Sequence, residues 1–246
     1  MKLQRWQIWL GGLLIAMSAG LYYIHYLIFH DAHHIFIYLL GDVAFVPVEV
    51  LIVTLIIHEV LSQREKKSRL EKLNMVIGAF FSEVGTHLLT VISDADPTLE
   101  EIKKDLKISN NWDERRFSQI ERRFKEYDYA VNINKIDLHQ FRDFLRDKRA
   151  FLLRLLENPN LLEHETFTDL LWAVFHLTEE LVARKNIGHV PQTDLDHMSG
   201  DIKRVYDRLV LQWLAYMKHL KEHYPYLFSL ALRTNPFDET ATVEVK

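Results

Sequence analysis

Three groups of residues carry side chains able to do chemistry. The first lies in "LGDVAFVPVEVLIVTL", residues 40–55, where Asp42, Pro47 and Glu49 interrupt an apolar run. Asp42 and Glu49 are seven positions apart, so on a helix they sit about 20° apart around the axis and two turns apart along it. They share that face with Tyr38. A carboxylate at the centre of a bilayer costs roughly 3 kcal/mol or more, so it faces protein or water, is paired, or takes up a proton. Pro47 has no N–H for the carbonyl of Val43 and bends a helix there. The freed carbonyl needs a partner, which points to a protein- or water-lined interior at that level. Three readings stay open. Asp42 and Glu49 line a cation or proton path repeated by symmetry in an oligomer. They form a buried, protonated pair that ties helices together. Or Asp42 lies in the membrane interface and Glu49 finds a local hydrogen bond. Nothing in the chain resembles a potassium-channel filter.

The second group is His25, His30, Asp31, His33 and His34. Imidazole changes charge near neutrality. Such a cluster suits Zn²⁺ or another divalent ion, or a sensor of external pH. The spacing matches no specific metal motif, and an interfacial, solvated turn accounts for it without a ligand. The third group is His176 with Glu179 and Glu180, Asp194 with Asp196 and His197, and His219 with His223. Helical bundles hold dinuclear metals between such side chains. The paired Glu-x-x-His motifs of carboxylate di-iron proteins are absent, and a metal-binding helical enzyme is the third of three functional expectations. No catalytic residue is assigned and no motif requires a cofactor.

The elements that must position these groups follow from composition. The chain has 246 residues, a net charge of −4 and a sequence pI near 6.4. That balance does not suggest a nucleic-acid partner. Cysteine is absent, which excludes disulfides, thiolate catalysis and Cys-ligated metals. No GxxxxGK[ST] or GxGxxG run is present. Residues 6–61 are mostly apolar, and the rest is polar and helical in pattern.

Residues 6–29 are long enough to cross a ~30 Å hydrocarbon core. Lys2, Arg5 and Ala16-Met17-Ser18 resemble a signal peptide with its cleavage site, but the apolar run continues to Phe29 and favours an uncleaved span. A second span is expected over 35–61. The "HDAHH" link holds no Lys or Arg, whereas Arg64, Lys66, Lys67, Arg69 and Lys72 follow the second span. The positive-inside rule then puts both termini in the cytoplasm of a prokaryotic cell, the hairpin in the inner membrane, and the His-rich turn outside. Trp6, Trp9, Tyr22, Tyr23, Tyr26 and Tyr38 fit interfacial belts. Gly12, Ala16 and Gly20 recur every fourth residue and make a strip for close helix packing, within the hairpin or between protomers.

Beyond residue 61 the helical pattern runs on, because no proline intervenes before Pro97. Leu70, Leu73, Ile77, Phe81, Val84, Leu88 and Val91 recur in steps of three and four. We expect one connecting amphipathic helix over 62–93, able to carry motion between membrane and cytoplasm. Its stretch "MVIGAFFSEVGTHLLTVI", residues 75–92, is apolar enough for a third span. Ser82, Glu83, Thr86, His87 and Thr90 favour a core helix instead. A helical bundle is expected over 94–233. Thr98 and Glu101 have the spacing of a capping box, Phe117, Ile120, Phe124 and Tyr127 form a stripe, and Asp137 with Gln140 opens a helix ending near Leu156. Further helices are expected over 162–184 and along Ile202, Val205, Leu209, Trp213, Tyr216 and Leu220, with Pro225 ending the last. Residues 234–246 read as an extended tail. The fold class is therefore all-α: an N-terminal transmembrane helical hairpin followed by a cytoplasmic α-helical bundle.

The stretches "YLLGDVAFVPVEVLIVTLIIHEVLSQREKKSRLEKLNMVIGAFFSEVG" and "LFSLALRTNPFD" resemble a group of uncharacterised prokaryotic two-span membrane proteins. The resemblance covers most of the chain. It implies a two-span anchor with a helical soluble part and carries no activity or catalytic residue with it. The first functional expectation is a non-enzymatic membrane sensor or scaffold, self-associating, with a cytoplasmic protein partner. The second is an oligomeric cation- or proton-conducting protein using Glu49 and Asp42.

Overall fold

A computed structural model describes residues 5–159, 161, 164–238 and 240–244, and at 66–72 the backbone alone. Lys2 and the side chains of Lys66, Lys67, Arg69, Leu70 and Lys72, used above for topology and periodicity, lie outside the described residues. Nine α-helices are assigned among the described residues: α1 Arg5–Phe29, α2 Ala32–Phe80, α3 Thr86–Asp94, α4 Leu99–Leu106, α5 Glu114–Lys125, α6 Leu138–Leu156, α7 Glu165–Ala183, α8 Gln192–His223 and α9 Pro225–Arg233. A π-helical turn, Phe81–Gly85, joins α2 to α3. No strand occurs among the described residues. The chain divides into two compact units, residues 1–66 and 67–246.

The first unit is α1 and the opening of α2. Two residues turn the chain between them. His30 takes the left-handed conformation at φ 51° while its N–H donates to the Tyr26 carbonyl at 2.8 Å, closing α1. Asp31 then caps α2, its Oδ1 accepting from the His34 N–H at 3.1 Å. A side chain with φ above zero costs roughly 1 kcal/mol, and His is among the residues that tolerate it. No described residue of 5–65 is buried. Residues 5–29 and 32–65 are each helical, long and apolar enough to cross a membrane.

The second unit has a closed core. The long α8 packs against α3, α5, α7 and α9, and α6 covers α7. Residues 73–94 are also long and apolar enough to span, yet they form an inner wall of this bundle. Leu73, Ile77, Phe80, Phe81, Val84, Leu88, Leu89 and Ile92 are buried. The periodic stripe expected along this helix is thus its core face. Phe117, Ile120 and Phe124 are buried in the same way on α5. Asp137 accepts from the His139 and Gln140 N–H groups and opens α6, with Ile136 and Phe141 both buried beside it.

Two local expectations need correction. Thr98 does not form a capping box with Glu101. Its hydroxyl and N–H both donate to Asp96 Oδ1, at 2.7 and 2.8 Å, because the buried Asp96 two residues back is the closer acceptor. The segment after α9 is not helical but its first part docks on the core. Phe237 is 2 % exposed and lies against Trp213, and the Asn235 amide donates to the Leu106 carbonyl at 3.0 Å. One aromatic ring and one amide in a short tail give no period for a sequence reading to detect.

Gly85 lets the π turn close. A Cβ there would stand 2.6 Å from Phe81 Cδ1 and 2.8 Å from Phe80 Cε1. Both rings are buried and wedged, Phe80 edge-on to Phe167 and Phe81 stacked on Tyr216. Gly85→Ala is therefore expected to destabilise the bundle by about 1–3 kcal/mol through overpacking. Thermal unfolding of the detergent-solubilised chain checks this, and an unchanged midpoint would contradict the packing described.

Candidate functional site

In the first unit the turn gathers only part of the expected histidine cluster. His25 and His34 stack with ring centroids 5.8 Å apart, and His34 meets the edge of Tyr38 at 4.6 Å. Together with Tyr22, Ile35 and Asp42 these rings line a cavity of about 280 Å³. His25 Nδ1 is shielded from solvent and has no hydrogen-bond partner. Asp31 is engaged in capping, and His30 lies against Tyr26 at 6.1 Å. Among the described residues, no three ligand atoms of this turn lie within 4.8 Å of one another. The structure thus joins Asp42 to His25 and His34, and does not assemble His30, Asp31 and His33 with them.

Glu49 and Pro47 are exposed on α2, which continues helically through the proline. Gly12, Ala16 and Gly20 are exposed on α1. A Cβ added at Gly12 or Gly20 would meet nothing within 4 Å, so within this unit the strip of small residues faces no other backbone.

In the bundle, α7 and α8 bring together side chains that are distant in sequence. Contacts link 184 with 194, 180 with 197, and 176 with 201. That is the register of two antiparallel helices. His176 and Glu180 are one turn apart on α7, and His197 and Asp201 one turn apart on α8. Asp201 is 3 % exposed. Its Oδ1 accepts from Arg204 Nη1 at 2.6 Å. Its Oδ2 is buried with no hydrogen-bond partner, and lies 3.4 Å from His197 Nε2 and 3.5 Å from His176 Nε2. Glu180 Oε2 is 3.8 Å from His197 Nε2. Glu180, His197 and Asp201 each offer a ligand atom within 4.8 Å of the others.

Arg184 organises the loop end of this cluster. It donates to Glu180 Oε2 at 2.7 Å and, with two N–H groups, to Asp194 at 2.6 and 2.8 Å. These bonds hold the carboxyl groups of Glu180 and Asp194 below their ordinary range, with His176 and His197 adding to the effect on Glu180.

The other expected groups are not part of the cluster. Glu179 pairs with Arg149 at 2.6 Å, Asp196 accepts from Gln192 at 2.8 Å, and His219 stacks on His223 at 4.5 Å. Asp201 escaped the sequence reading. The signal was there: His176-x-x-x-Glu180 and His197-x-x-x-Asp201 are the same one-turn pattern on consecutive helices.

The Arg184 bonds make acid stability testable. A carboxyl held below its unfolded value stabilises the fold above the ordinary carboxylate range, and that contribution disappears as pH falls through it. Unfolding midpoints measured from pH 7 to pH 3 are expected to drop on acidification. The drop is expected to be shallower in Arg184→Met, which removes all three of these bonds. Parallel curves for the two proteins would contradict this assignment.

Comparison with known proteins places these features in context. Residues 69–233 match the family described as "Uncharacterized protein MJ1433, C-terminal helical domain", and residues 2–61 match "MJ1433, N-terminal helical domain". The uncharacterized protein MJ1433 of Methanocaldococcus jannaschii is 48 % identical over 240 residues, covering 98 % of this chain and 96 % of the relative. No solved structure matches the chain.

Proposed function

This chain belongs to the MJ1433 family of helical proteins, and we propose that it works as a membrane-anchored, non-catalytic sensor or scaffold. Residues 5–29 and 32–65 anchor it as a two-span hairpin in a prokaryotic cell membrane. The bundle of residues 67–246 lies in the cytoplasm and engages a protein partner. One observation carries this reading. The first unit is apolar over two full helices and buries no described residue, whereas the bundle buries a complete core of its own. An apolar surface of that extent needs lipid or another chain to cover it. The open strip at Gly12, Ala16 and Gly20 supports self-association through α1.

Single cysteines test topology and assembly together, because the chain has none of its own. His33→Cys and Gln119→Cys both occupy exposed positions. In intact cells a membrane-impermeant maleimide is expected to label position 33, and to label position 119 only after lysis. The opposite pattern would overturn the orientation, and labelling of both in intact cells would overturn the anchor. Under mild oxidation Ala16→Cys is expected to form a disulfide between protomers, and a purely monomeric product would contradict association through this strip.

A second reading is favoured by the cavity in which Asp42 meets His25, His34 and Tyr38. In an oligomer, Asp42 would form the outer ring and Glu49 the inner ring of a proton or cation path. Flux into liposomes under an imposed voltage distinguishes the two readings. The sensor reading expects no flux above empty vesicles, whereas flux that Glu49→Gln abolishes without changing oligomer size would favour conduction.

A further inference from the structure

We propose that His176, Glu180, His197 and Asp201 form a binding site for a first-row divalent transition metal ion, with Zn²⁺ the best match. The ion would clamp α7 to α8.

A buried carboxylate oxygen with no donor is costly, and Asp201 is only 3 % exposed. Arg204 holds the other oxygen at 2.6 Å and thereby fixes the direction of Oδ2. Two imidazole nitrogens from different helices face it, at 3.4 and 3.5 Å. Those distances are long for a hydrogen bond, which spans about 2.7–3.2 Å. They suit two ligands on one cation. Metal–ligand bonds of about 2.0–2.2 Å in tetrahedral geometry separate neighbouring ligand atoms by roughly 3.3–3.6 Å. The third separation, His197 to Glu180 at 3.8 Å, lies just above that range. Glu180, His197 and Asp201 all lie within 4.8 Å of one another, whereas the half-exposed ring of His176 stands outside that set and would swing in to complete it.

The surroundings resemble the outer shell of a metal site. Each carboxylate is oriented by an arginine, Glu180 by Arg184 just past the end of α7 and Asp201 by Arg204 on α8. Such partners fix the aim of metal ligands. The acids Glu180, Asp194 and Asp201 outnumber the two arginines that hold them. His176 and His197 are about half exposed, which gives an ion a route in and lets both rings adjust. Two imidazoles and two carboxylates select Zn²⁺ and its first-row neighbours over Mg²⁺ or Ca²⁺, which take oxygen donors.

This names a ligand for the sensor proposed above, and membrane residence and metal binding are read by separate assays, so either can fail alone. The test uses the full chain, purified in detergent and stripped with chelator. Calorimetric titration with Zn²⁺ is expected to give one ion per chain, and Co²⁺ in its place the visible absorption of a four-coordinate centre. His176→Gln with His197→Gln is expected to weaken binding by about 100-fold or more, since even outer-shell changes cost ~10–100-fold. His197→Gln alone serves if the double variant does not fold as the wild type does. Substitution of His30, His33 and His34 by Gln is expected to leave binding unchanged. Absence of stoichiometric binding would overturn the proposal. So would equal affinity in wild type and His197→Gln, or loss of binding only in the turn variant.

Discussion

Two apolar helices that bury nothing within their own unit impose the constraint on which the rest depends. Water solvates a helix backbone well, but the 33 exposed Leu, Ile, Val, Phe, Tyr and Trp side chains of residues 6–61 need lipid or another chain to cover them. In hydrocarbon the same helices are self-sufficient, because every interior backbone group is bonded within its own helix. The exceptions are the polar positions. In a bilayer, Asp42, the His25–His34 pair and the carbonyl freed by Pro47 would be the places where lipid is a poor solvent and water, a proton or another protomer is a better partner.

The bundle answers a different requirement. It stands on a core centred on α8, and its inner wall includes an apolar helix that would otherwise pass for a third span. Residues 73–94 are drawn in because Leu73, Ile77, Phe80, Val84 and Leu88 fall on one face and are buried in the core, with Phe80 edge-on to Phe167 of α7 and α3 packed on α8. The π turn at Phe81–Gly85 admits both Phe80 and Phe81 into that core. Within the same bundle, α7 and α8 line up a polar cluster in which one buried carboxylate oxygen remains without a donor.

Much of this was legible in the amino-acid order. The apolar runs, the helix start at Asp137, the end of α8 just before Pro225, and the stripes of α5 and α8 all follow from local periodicity and capping. What escaped depended on contacts between distant positions. The buried Asp96 replaced the capping box at Thr98, and nothing local marks Asp96 as buried. Phe237 and Asn235 dock by single contacts that have no period. Asp201 is invisible as a site residue until α7 and α8 are set antiparallel, which pairs 176 with 201 and 180 with 197. In the turn, spacing alone grouped five residues, but the chain reversal at His30 brings His34 back to His25 and engages Asp31 in capping.

Hydrogen–deuterium exchange of the full chain in lipid nanodiscs tests the central claim most directly. The account predicts strong protection of backbone amides across residues 6–29 and 35–61 in lipid. It predicts equal protection of the core helices α3, α7 and α8 whether the chain is in nanodiscs or in mild detergent, because that core needs no lipid. Rapid exchange throughout 6–61 in nanodiscs, or loss of protection in α7 and α8 when lipid is removed, would contradict it.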